Sequence, residues 1–516
     1  MTNKLYLINP PDKGMLSGFP GALLFLSAWV KMNVPDVDVK YVDLSISKKD
    51  RKPLNGAVED ILNELDEYEL EAEAIYGITA TTATYQNALR AAQAIKQKNS
   101  YARIILGGHH SMHEAEIILE RHPEIDFCAT GEGERTLADI LRGTPINEVR
   151  GIVYKDLIFG LIKRNRASYL SREELDKFAF GSFDWTPIID SLEDEKVRGQ
   201  FGYFDINTAR GCNLKCSFCT FGDDQLRDMS PEAKARLLFD MVNSEIYRHA
   251  GGINIHDNDF AQNTQKTHEL CDLVIDRIIN KGYDFKWTIQ TRVEHCNERN
   301  RDLVEKLAKA GCVEVYYGVE NFDPAMAAYL KRVRNTERYL KDTQEAVVNT
   351  LAYGIGCNIN LQLGIPGETE ETRQNNLEAL RKVAETSEMM QQSMGSKARI
   401  VIYPQLSVIY PGTAMARMPV NGTNKHLPLD GFEVFTQWEW EQEQNGLVEY
   451  LGRNFAHGNG GIPAGLIDIG KFVDEKKVII IPERLNAVNR YLDRMREISS
   501  KNPVLTIFDY SSHLHK

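Results

Sequence analysis

The run Ala209-Arg210-Gly211-Cys212-Asn213-Leu214-Lys215-Cys216-Ser217-Phe218-Cys219 carries three cysteines in the spacing C-x3-C-x2-C. Three thiolates on one short loop can each bind one iron of a [4Fe–4S] cluster, whose full ligation by protein takes four cysteines. The neighbouring cysteines in the sequence, Cys128 and Cys271, are far from this run. The spacing therefore predicts a cluster with one iron left open to an outside ligand.

Two other interpretations of the cysteines are weaker. A structural zinc site takes four ligands, often in two separated pairs, and the third thiol of this run is too close in sequence to begin a distant pair. Eight cysteines in a chain of 516 residues are also not typical of a disulfide framework. The other five have apolar or helical surroundings, and we expect them to be ordinary buried thiols: Cys128, Cys271, Cys296, Cys312 and Cys357.

Length and charge limit the class of protein. A chain of 516 residues is too long for one core and predicts two to four domains. The net charge of −12 argues against nucleic acid as a partner, because such proteins need a basic surface. The N-terminus lacks the layout of a signal peptide, and no apolar run is long enough to span a membrane. Free cysteines and an oxygen-sensitive cluster indicate the cytoplasm.

Alternating strands and helices in residues 1–150 predict an α/β domain with a doubly wound, Rossmann-like parallel sheet. Ligands of such sheets bind at the carboxyl ends of the strands. A single glycine there is most often a turn residue, but several strand ends in succession carry small or polar residues, which favours a ligand-binding edge. The residues at these ends are Pro11, Thr79, Thr81, Gly107, Gly108, Gly131 and Glu132.

A polar, aromatic-containing stretch at 151–200 predicts a linker, and residues 201–415 again alternate between strands and helices. Six strands with crossover helices predict a partial (β/α)6 barrel, whose chemistry lies at the C-terminal strand ends. His256, Asp257 and Asp259 follow one of these strands; they are candidates for a metal or acid–base group, or for simple helix caps. Residues 416–516 match no motif, and we expect an α/β extension that closes the barrel and shapes the substrate pocket.

The cysteine loop, with Phe218 before its last cysteine, resembles that of the radical S-adenosylmethionine (SAM) enzymes, and the likeness extends over about residues 200–415. The resemblance implies that Cys212, Cys216 and Cys219 bind the cluster and that SAM occupies the open iron. It also implies SAM contacts at four strand-end positions, among which an arginine offers a planar fork of donors for the SAM carboxylate. These are Arg292, Glu320, Gln362 and Tyr403.

The first domain resembles the cobalamin-binding domain that precedes the radical SAM domain in many enzymes. Thr79-Ala80-Thr81 and Gly107-Gly108 stand where that domain contacts cobalamin. The loop after the first strand, residues 9–18, has no histidine, whereas the mutase version of this domain carries a cobalt-ligating one there. The first histidine of the chain is His109, which with His110 is expected near the nucleotide tail rather than at a metal.

The combined resemblance implies a cobalamin-dependent radical SAM enzyme. The expected activity is methyl transfer through methylcobalamin to an unactivated carbon, after hydrogen abstraction by a 5′-deoxyadenosyl radical. A radical cyclase, ring-contraction or rearrangement enzyme acting on a small molecule is the main alternative, and a non-catalytic iron–sulfur and cobalamin sensor is another. The implied partners are a small-molecule or peptide substrate and an electron donor such as flavodoxin or ferredoxin.

Overall fold

The computed structural model describes residues 4–11, 21–45, 47–49, 54, 56–68, 70–71, 73–81, 84–156, 158–180, 204–221, 225–244, 247–248, 251–365, 367–407, 413–415, 462–463 and 482–507. The chain forms two compact units and passes from the first to the second between Asp205 and Ile206. Among the described helices, none is long and apolar enough to cross a lipid bilayer.

The first unit is built on a seven-stranded sheet in the order β2-β1-β3-β4-β5-β6-β7. Strands β1 to β5 are parallel, and their order 2-1-3-4-5 is the flavodoxin-like version of a doubly wound sheet. Both faces of the central strands are buried, which explains their continuous apolar sequence. The strands are β1 (Lys4–Asn9), β2 (Asp38–Asp43), β3 (Ile75–Thr79), β4 (Arg103–Gly107), β5 (Phe127–Ala129), β6 (Ile152–Lys155) and β7 (Ile162–Arg164).

Helices connect the parallel strands and cover the sheet with small and aliphatic side chains, such as the fully buried Ala88, Ala91 and Ile95 of one helix. The helices of this unit are α1 (Gly21–Asn33), α2 (Val58–Leu65), α3 (Tyr85–Lys98), α4 (His109–Arg121), α5 (Gly133–Leu141) and α6 (Arg172–Phe180).

The structure differs from the predicted linker at 151–200. Strands β6 and β7 form an antiparallel hairpin that extends the first sheet beyond β5. The buried side chains of Ile152 and Val153 add to the core, while the polar sequence of β7 fits a short edge strand. Residues 181–200, which include the predicted aromatic connector around Trp185, lie outside the described residues.

The second unit contains an eight-stranded sheet in the order β16-β15-β14-β13-β12-β11-β8, with β17 also pairing with β15. Strands β11 to β15 are parallel, as expected for successive β/α units. Its strands are β8 (Phe204–Ile206), β11 (Ile253–Ile255), β12 (Trp287–Thr291), β13 (Cys312–Glu320), β14 (Gly356–Leu363), β15 (Ile400–Leu406), β16 (Ile462–Pro463) and β17 (Leu505–Ile507). A separate two-stranded ribbon joins β9 (Ala209–Arg210) to β10 (Arg227–Asp228).

The strands of this sheet alternate between apolar residues that are fully buried and polar residues that are partly exposed. In β13, Val315, Tyr317 and Val319 are completely buried, while Tyr316 and Gly318 between them are less covered. The connecting helices are α7 (Pro231–Val242), α8 (Thr264–Arg277), α9 (Arg301–Lys309), α10 (Pro324–Lys331), α11 (Thr336–Ala352) and α12 (Glu370–Met394).

The C-terminal region contributes directly to this sheet. Helix α13 (Pro482–Ser500) leads into β17, which pairs in parallel with the first half of β15. Residues 416–461 and 464–481, a large part of the predicted C-terminal extension, lie outside the described residues. The five cysteines expected to be ordinary thiols are buried and unpaired by disulfides, which confirms that expectation.

Candidate functional site

The three-cysteine loop lies between the two strands of the β9–β10 ribbon. Gly211, which has a positive φ of 74°, turns the chain into the loop. Cys212 is buried, whereas Cys216 and Cys219 are half-buried. The loop therefore exposes two thiols in part while its first cysteine is covered by protein.

The start of the loop is fixed by the fully buried carboxylate of Asp257. Asp257 accepts hydrogen bonds from the backbone N–H groups of Thr208 (2.6 Å) and Ala209 (2.8 Å) and from the Thr208 hydroxyl (2.6 Å). Lys234, itself buried and paired with Asp228 at 2.6 Å, lies 3.6 Å from Asp257. Together these contacts attach the first strand of the ribbon to the end of β11.

The middle of the loop is held from its other side. Ser217 donates its backbone N–H to the carbonyl of Leu330 at 2.9 Å, and its own carbonyl accepts the N–H of Met415 at 2.9 Å. An apolar cluster backs these two hydrogen bonds and includes the aromatic residue that precedes the last cysteine. Its members are Phe218, Met326, Tyr329, Leu330, Ile365 and Met415.

Donors and positive charges surround the thiols. Arg292 lies with Nη1 4.0 Å from Cys216 Sγ, and the Phe221 N–H donates to Cys219 Sγ at 3.4 Å. Burial raises the pKa of the Cys219 thiol to about 12, and the Phe221 hydrogen bond and the charge of Lys331 act against that rise. Such groups stabilise thiolates and the negative charge of an iron–sulfur cluster.

This donor set fits a [4Fe–4S] cluster better than a single metal ion. Within the described ranges, no three His, Cys, Asp or Glu side chains converge closely enough to hold one ion. The ligands of a four-iron cluster bind different irons and therefore stand farther apart than the ligands of one ion. Two partly accessible thiols and one buried thiol on the same loop, with an N–H donor and cations nearby, match that requirement.

The structure brings Arg292 to the cysteine loop, where sequence reasoning placed a SAM ligand. Its guanidinium also pairs with the carboxylate of Glu294, at 3.2 Å from Nε. Its backbone N–H donates to Asp259 at 3.2 Å, and Asp259 also accepts from the Thr291 hydroxyl at 2.8 Å. Arg292 is thus fixed by its backbone at the end of β12 while its side chain points to Cys216.

Glu320 and Gln362, both predicted SAM ligands, are also in contact. Gln362 Nε2 donates to Glu320 Oε2 at 3.0 Å. The side-chain oxygen of Gln362, Oε1, accepts from the Ser407 hydroxyl at 3.1 Å. Glu320 has a φ of 67°, and the register of β13 with β14 shifts at this point. A left-handed glutamate at the end of a strand carries backbone strain of the kind that concentrates at functional sites.

Tyr403 belongs to a different group of side chains. Its ring centroid is 5.9 Å from that of Tyr316, whose hydroxyl donates to Glu314 at 3.3 Å. Asn358 Nδ2 donates to the same carboxylate oxygen at 3.0 Å. Burial raises the pKa of Tyr403 to about 12, so the phenol is neutral at pH 7.

Of the three polar residues after β11, Asp257 and Asp259 have separate roles. Asp257 fixes the cysteine loop. Asp259 fixes the end of β12 and is hydrogen-bonded to His295, with 3.1 Å between Oδ2 and Nε2. Burial would raise the pKa of Asp259, but the hydrogen bonds from His295 and Thr291 hold it below its ordinary value. The metal-cluster interpretation of this stretch is therefore not supported, and a positioning role replaces it.

In the first unit, the ends of β3 and β4 approach each other closely. Ala80 donates its N–H to Gly107 O at 2.8 Å and accepts from His110 N at 3.2 Å. Gly108 has a φ of 94°, and a Cβ at that position would lie 2.4 Å from Ala80 O. A Cβ at Gly107, in contrast, would have its nearest neighbour at 3.9 Å. Glycine at Gly107 is therefore not required by packing, because a Cβ there would make only ordinary van der Waals contacts.

The other predicted residues near these glycines are held by short local contacts. The Thr81 and Thr84 hydroxyls lie 3.2 Å apart at the start of α3, and Thr79 pairs with Gly107 across the sheet. Pro11 O accepts a hydrogen bond at 2.8 Å from the fully buried Asn87. These positions lie at the carboxyl ends of β1, β3 and β4, on both sides of the point where the strand order reverses, which fits a large flat ligand such as cobalamin.

Gly131 and Glu132 have partners within the protein. A Cβ at Gly131 would lie 2.5 Å from Ser168 O, so glycine there is explained by the passing chain. Glu132 accepts the Leu170 N–H at 2.6 Å and donates its own N–H to Ser168 O at 2.8 Å. The structure thus accounts for both residues by the attachment of the 168–170 segment.

His109 and His110 open helix α4, directly after Gly108. Burial lowers the pKa of each to about 4, so both rings are neutral at pH 7. The His110 ring packs on Tyr85, with the centroids 3.9 Å apart. Both histidines therefore lie beside the glycines at the end of β4.

Sequence reasoning missed two residues of the cysteine site. Lys331 comes from the end of α10 and pairs with Glu320, at 3.6 Å between Nζ and Oε1. Ser407, just after β15, supports Gln362. Neither residue lies in a recognisable motif, and an ordinary lysine at the end of a helix is typical of solvent exposure, so the sequence offers no signal for them.

Two family models match the chain. The radical SAM superfamily model matches residues 206–380, and the B12 binding domain model matches residues 22–141. The B12 binding domain match falls within the first unit, and the radical SAM match falls in the second unit apart from Ser244–Gly251.

Two curated relatives are similar over much of the chain. An uncharacterized methyltransferase, PH0819, from Pyrococcus horikoshii is 24% identical over 383 residues, or 71% of this chain and 75% of that protein. The anaerobic magnesium-protoporphyrin IX monomethyl ester cyclase of Cereibacter sphaeroides is 26% identical over 329 residues, or 61% of this chain and 50% of the cyclase.

Solved structures share the fold. The radical SAM methyltransferase TsrM from Kitasatospora setae, with cobalamin and a [4Fe–4S] cluster bound, has a TM-score of 0.60 at 18% identity, with 80% of this chain and 77% of TsrM covered. The cobalamin-dependent radical SAM enzyme OxsB, with aqua-cobalamin and SAM bound, has a TM-score of 0.58 at 18% identity, with 74% of this chain covered. The chain spans about half the length of OxsB, at 52%.

Proposed function

We propose that this chain, which belongs to the cobalamin-dependent radical SAM enzymes, is a methyltransferase that modifies an unactivated carbon of a small molecule or peptide. The observation that carries the proposal is the convergence on one loop of three thiols and the Arg292 guanidinium. The similarity to PH0819, named as a methyltransferase, supports methyl transfer as the type of reaction.

Cys212, Cys216 and Cys219 are proposed to hold the cluster. The hydrogen bonds of Ser217 to Leu330 and Met415 fix the loop between the last two of them. The loop is thus prepared before any iron binds, which lowers the entropy cost of collecting three ligands.

Arg292, Glu320 and Gln362 are proposed to hold SAM, with Tyr403 as a more distant contact. Arg292 offers a positive fork beside Cys216, suited to a carboxylate. Glu320 offers a carboxylate suited to an ammonium group, and Gln362 and Ser407 hold that carboxylate in place. The positive charge of Arg292 and the negative charge of Glu320 match the two charged groups of an amino acid.

Pro11, Thr79, Thr81, Gly107 and Gly108 are proposed to contact cobalamin, with Gly131 and Glu132 at the margin of that site. The position of Gly107 and Gly108 at the carboxyl end of β4, beside the end of β3, supports this assignment. When the three cofactors are bound, the cluster and SAM supply a reductively generated 5′-deoxyadenosyl radical, and cobalamin supplies the methyl group. The protein excludes water, orients these groups and binds the substrate.

A second candidate function is radical cyclisation. The similarity to a magnesium-protoporphyrin IX monomethyl ester cyclase favours it. The two candidates use the same cofactor sites, so the reaction type has to be decided by experiment. We further propose an electron donor such as flavodoxin or ferredoxin as partner, no nucleic-acid partner, and a location in the cytoplasm.

Anaerobic reconstitution with iron, sulfide, cobalamin, a reductant and SAM labelled in its methyl group tests the proposal. We expect about four irons per chain, a cobalamin spectrum that changes on binding, and formation of 5′-deoxyadenosine. Label is then followed from SAM into the cobalamin fraction and into a small-molecule extract. Magnesium-protoporphyrin IX monomethyl ester is the probe for the cyclase alternative.

The Cys216→Ala variant is the control, because it removes one proposed cluster ligand and leaves the first unit unchanged. It should lose the cluster and both products while still binding cobalamin. The methyltransferase proposal is wrong if the fully loaded protein transfers no label. Conversion of the porphyrin ester without labelled product would support the cyclase instead.

A further inference from the structure

Lys331 is a buried cation between two parts of the proposed cofactor site. Only 9% of the residue is exposed. Its Nζ lies 3.6 Å from Glu320 Oε1 and 6.0 Å from the centre of the Phe218 ring. Leu330, the residue before it, accepts the backbone N–H of Ser217, which lies between Cys216 and Cys219. One side chain thus lies beside both a proposed SAM ligand and the cysteine loop.

The neighbourhood of Lys331 is shaped to receive a charge. A Cβ at Gly318 would lie 3.2 Å from Lys331 Nζ and 2.8 Å from Glu320 Oε1, so glycine leaves room for the ion pair. Glu320 keeps a left-handed backbone, and its second carboxylate oxygen is held by Gln362. The pair therefore stands against a strained strand end rather than on a free surface.

A purely structural role explains this arrangement poorly. Removing two charges from water is costly, and replacing a buried ion pair with apolar residues of similar volume is often neutral or stabilising. A methionine at the end of α10 would extend the apolar cluster around Phe218 and Leu330. A lysine here is better explained by what its charge does to the groups beside it.

We propose that Lys331 is a positioning residue that holds the Glu320 carboxylate toward SAM and makes the iron–sulfur cluster easier to reduce. The inference rests on the proposed function, because it assumes a cluster on the cysteine loop. Reduction adds a negative charge to the cluster, and a nearby cation buried away from solvent stabilises the reduced form. The Lys331 cation favours the reduced cluster, whereas the Glu320 carboxylate disfavours it. The ion pair with Glu320 fixes the position of the Lys331 ammonium group.

The test is a redox titration of the reconstituted full chain, followed by electron paramagnetic resonance without SAM. Lys331→Met should be about tenfold harder to reduce, which for a one-electron couple is about 59 mV more negative. Lys331→Arg keeps the charge and should stay close to wild type. Lys341→Met removes an exposed lysine of α11, whose side chain is 74% exposed, and should leave the potential unchanged.

Two further variants keep the test decisive if Lys331→Met assembles poorly. Glu320→Gln should shift the potential in the positive direction, because it removes the opposing charge. The double variant Lys331→Met/Glu320→Gln leaves no lone buried charge, and it should be harder to reduce than Glu320→Gln alone. Adding SAM should alter the resonance signal of Lys331→Arg as in wild type and that of Lys331→Met less.

The possible failures are distinguishable. If wild type binds no cluster, or Cys216→Ala binds one normally, the proposed function fails before the inference is tested. If Lys331→Met carries wild-type iron and an unchanged potential, the inference is overturned while the proposed function stands. A lower melting temperature with an unchanged potential likewise assigns Lys331 a structural role only.

Discussion

The hydroxyl of Thr208 donates a hydrogen bond of 2.6 Å to the fully buried carboxylate of Asp257. Asp257 also accepts two backbone N–H groups ahead of Cys212. Asp257→Ala would leave these donors and Lys234 without their acceptor, and we expect a loss of about 3–5 kcal/mol in the free energy of unfolding. We also expect less iron to bind after reconstitution. Denaturant unfolding and iron analysis measure the two effects.

Asp240→Ala is the matched control for this prediction. Asp240 lies on α7 in an exposed pair with Arg236, and its loss should change stability by less than about 0.5 kcal/mol. Equal iron content in Asp257→Ala and wild type would show that the cysteine loop does not depend on Asp257.

Gly108→Ala tests the close approach of β3 and β4. With a φ of 94° and a Cβ placed 2.4 Å from Ala80 O, alanine must displace the backbone. Strain at such a position costs about 1–3 kcal/mol. We expect a lower midpoint of thermal unfolding for the first unit together with weaker cobalamin binding.

Gly107→Ala tests whether glycine at this position serves ligand binding and not the fold. Its Cβ would meet nothing closer than Ala129 Cβ at 3.9 Å. Stability should therefore stay within about 0.5 kcal/mol of wild type, while cobalamin affinity falls because the methyl group enters the proposed site. A visible-light titration with cobalamin gives the affinity. Unchanged affinity in a stable Gly107→Ala protein would remove Gly107 from that site.

His110 should make the first unit sensitive to acid. Burial, together with the charge of His113, lowers the pKa of His110 to about 4, while an unfolded histidine has a pKa of about 6.5. Between these values the unfolded chain binds a proton that the folded chain does not. Stability is therefore lost as pH falls from about 6.5 toward 4, by at most about 3 kcal/mol.

His110→Phe keeps the packing on Tyr85 and removes the titrating group. We expect the variant to lose less stability than wild type between pH 7 and pH 5. Hydrogen exchange in helix α4 (His109–Arg121) localises the effect to the first unit. Parallel pH profiles for the two proteins would contradict the assignment.

The sequence predicted the parts of the fold that depend on local patterns. Apolar strands separated by helices predicted both parallel sheets, and cysteine spacing predicted the cluster loop. The β6–β7 hairpin escaped prediction, because Ile162–Arg164 is short and polar and becomes a strand only by pairing with β6. The polar composition of this segment is typical of a linker.

The sequence indicated individual site residues at the ends of strands, but not which of these residues contact one another. The resemblance to radical SAM enzymes implied Arg292 and Glu320 as SAM contacts, and both lie beside charged or sulfur partners in the structure. The contact of Lys331 with Glu320 depends on the left-handed backbone at Glu320 and on the space at Gly318. Neither condition has a signature in the order of residues.

Tyr491 connects the C-terminal helix α13 to helix α12 of the second unit. It is 2% exposed, and its hydroxyl is hydrogen-bonded to Asn376 of α12, whose carbonyl accepts the Phe322 N–H at 2.6 Å. Tyr491→Ala should lower the free energy of unfolding by about 3–5 kcal/mol through the lost burial of a large side chain. Tyr491→Phe, which removes only the hydroxyl, should cost about 1 kcal/mol.

The more specific expectation concerns β15, because α13 precedes β17 and β17 covers one edge of β15. If Tyr491 anchors this segment, Tyr491→Ala should increase hydrogen exchange at Ile400–Leu406 well above the increase in β12, which is three strands away in the sheet. Arg490→Ala, at the exposed neighbouring position, should change neither. Equal protection of β15 in wild type and Tyr491→Ala would mean that β17 stays paired without this anchor. In that case the edge would be held by the backbone hydrogen bonds of Ile400 with Val504 and of its neighbours, and not by the docking of the helix.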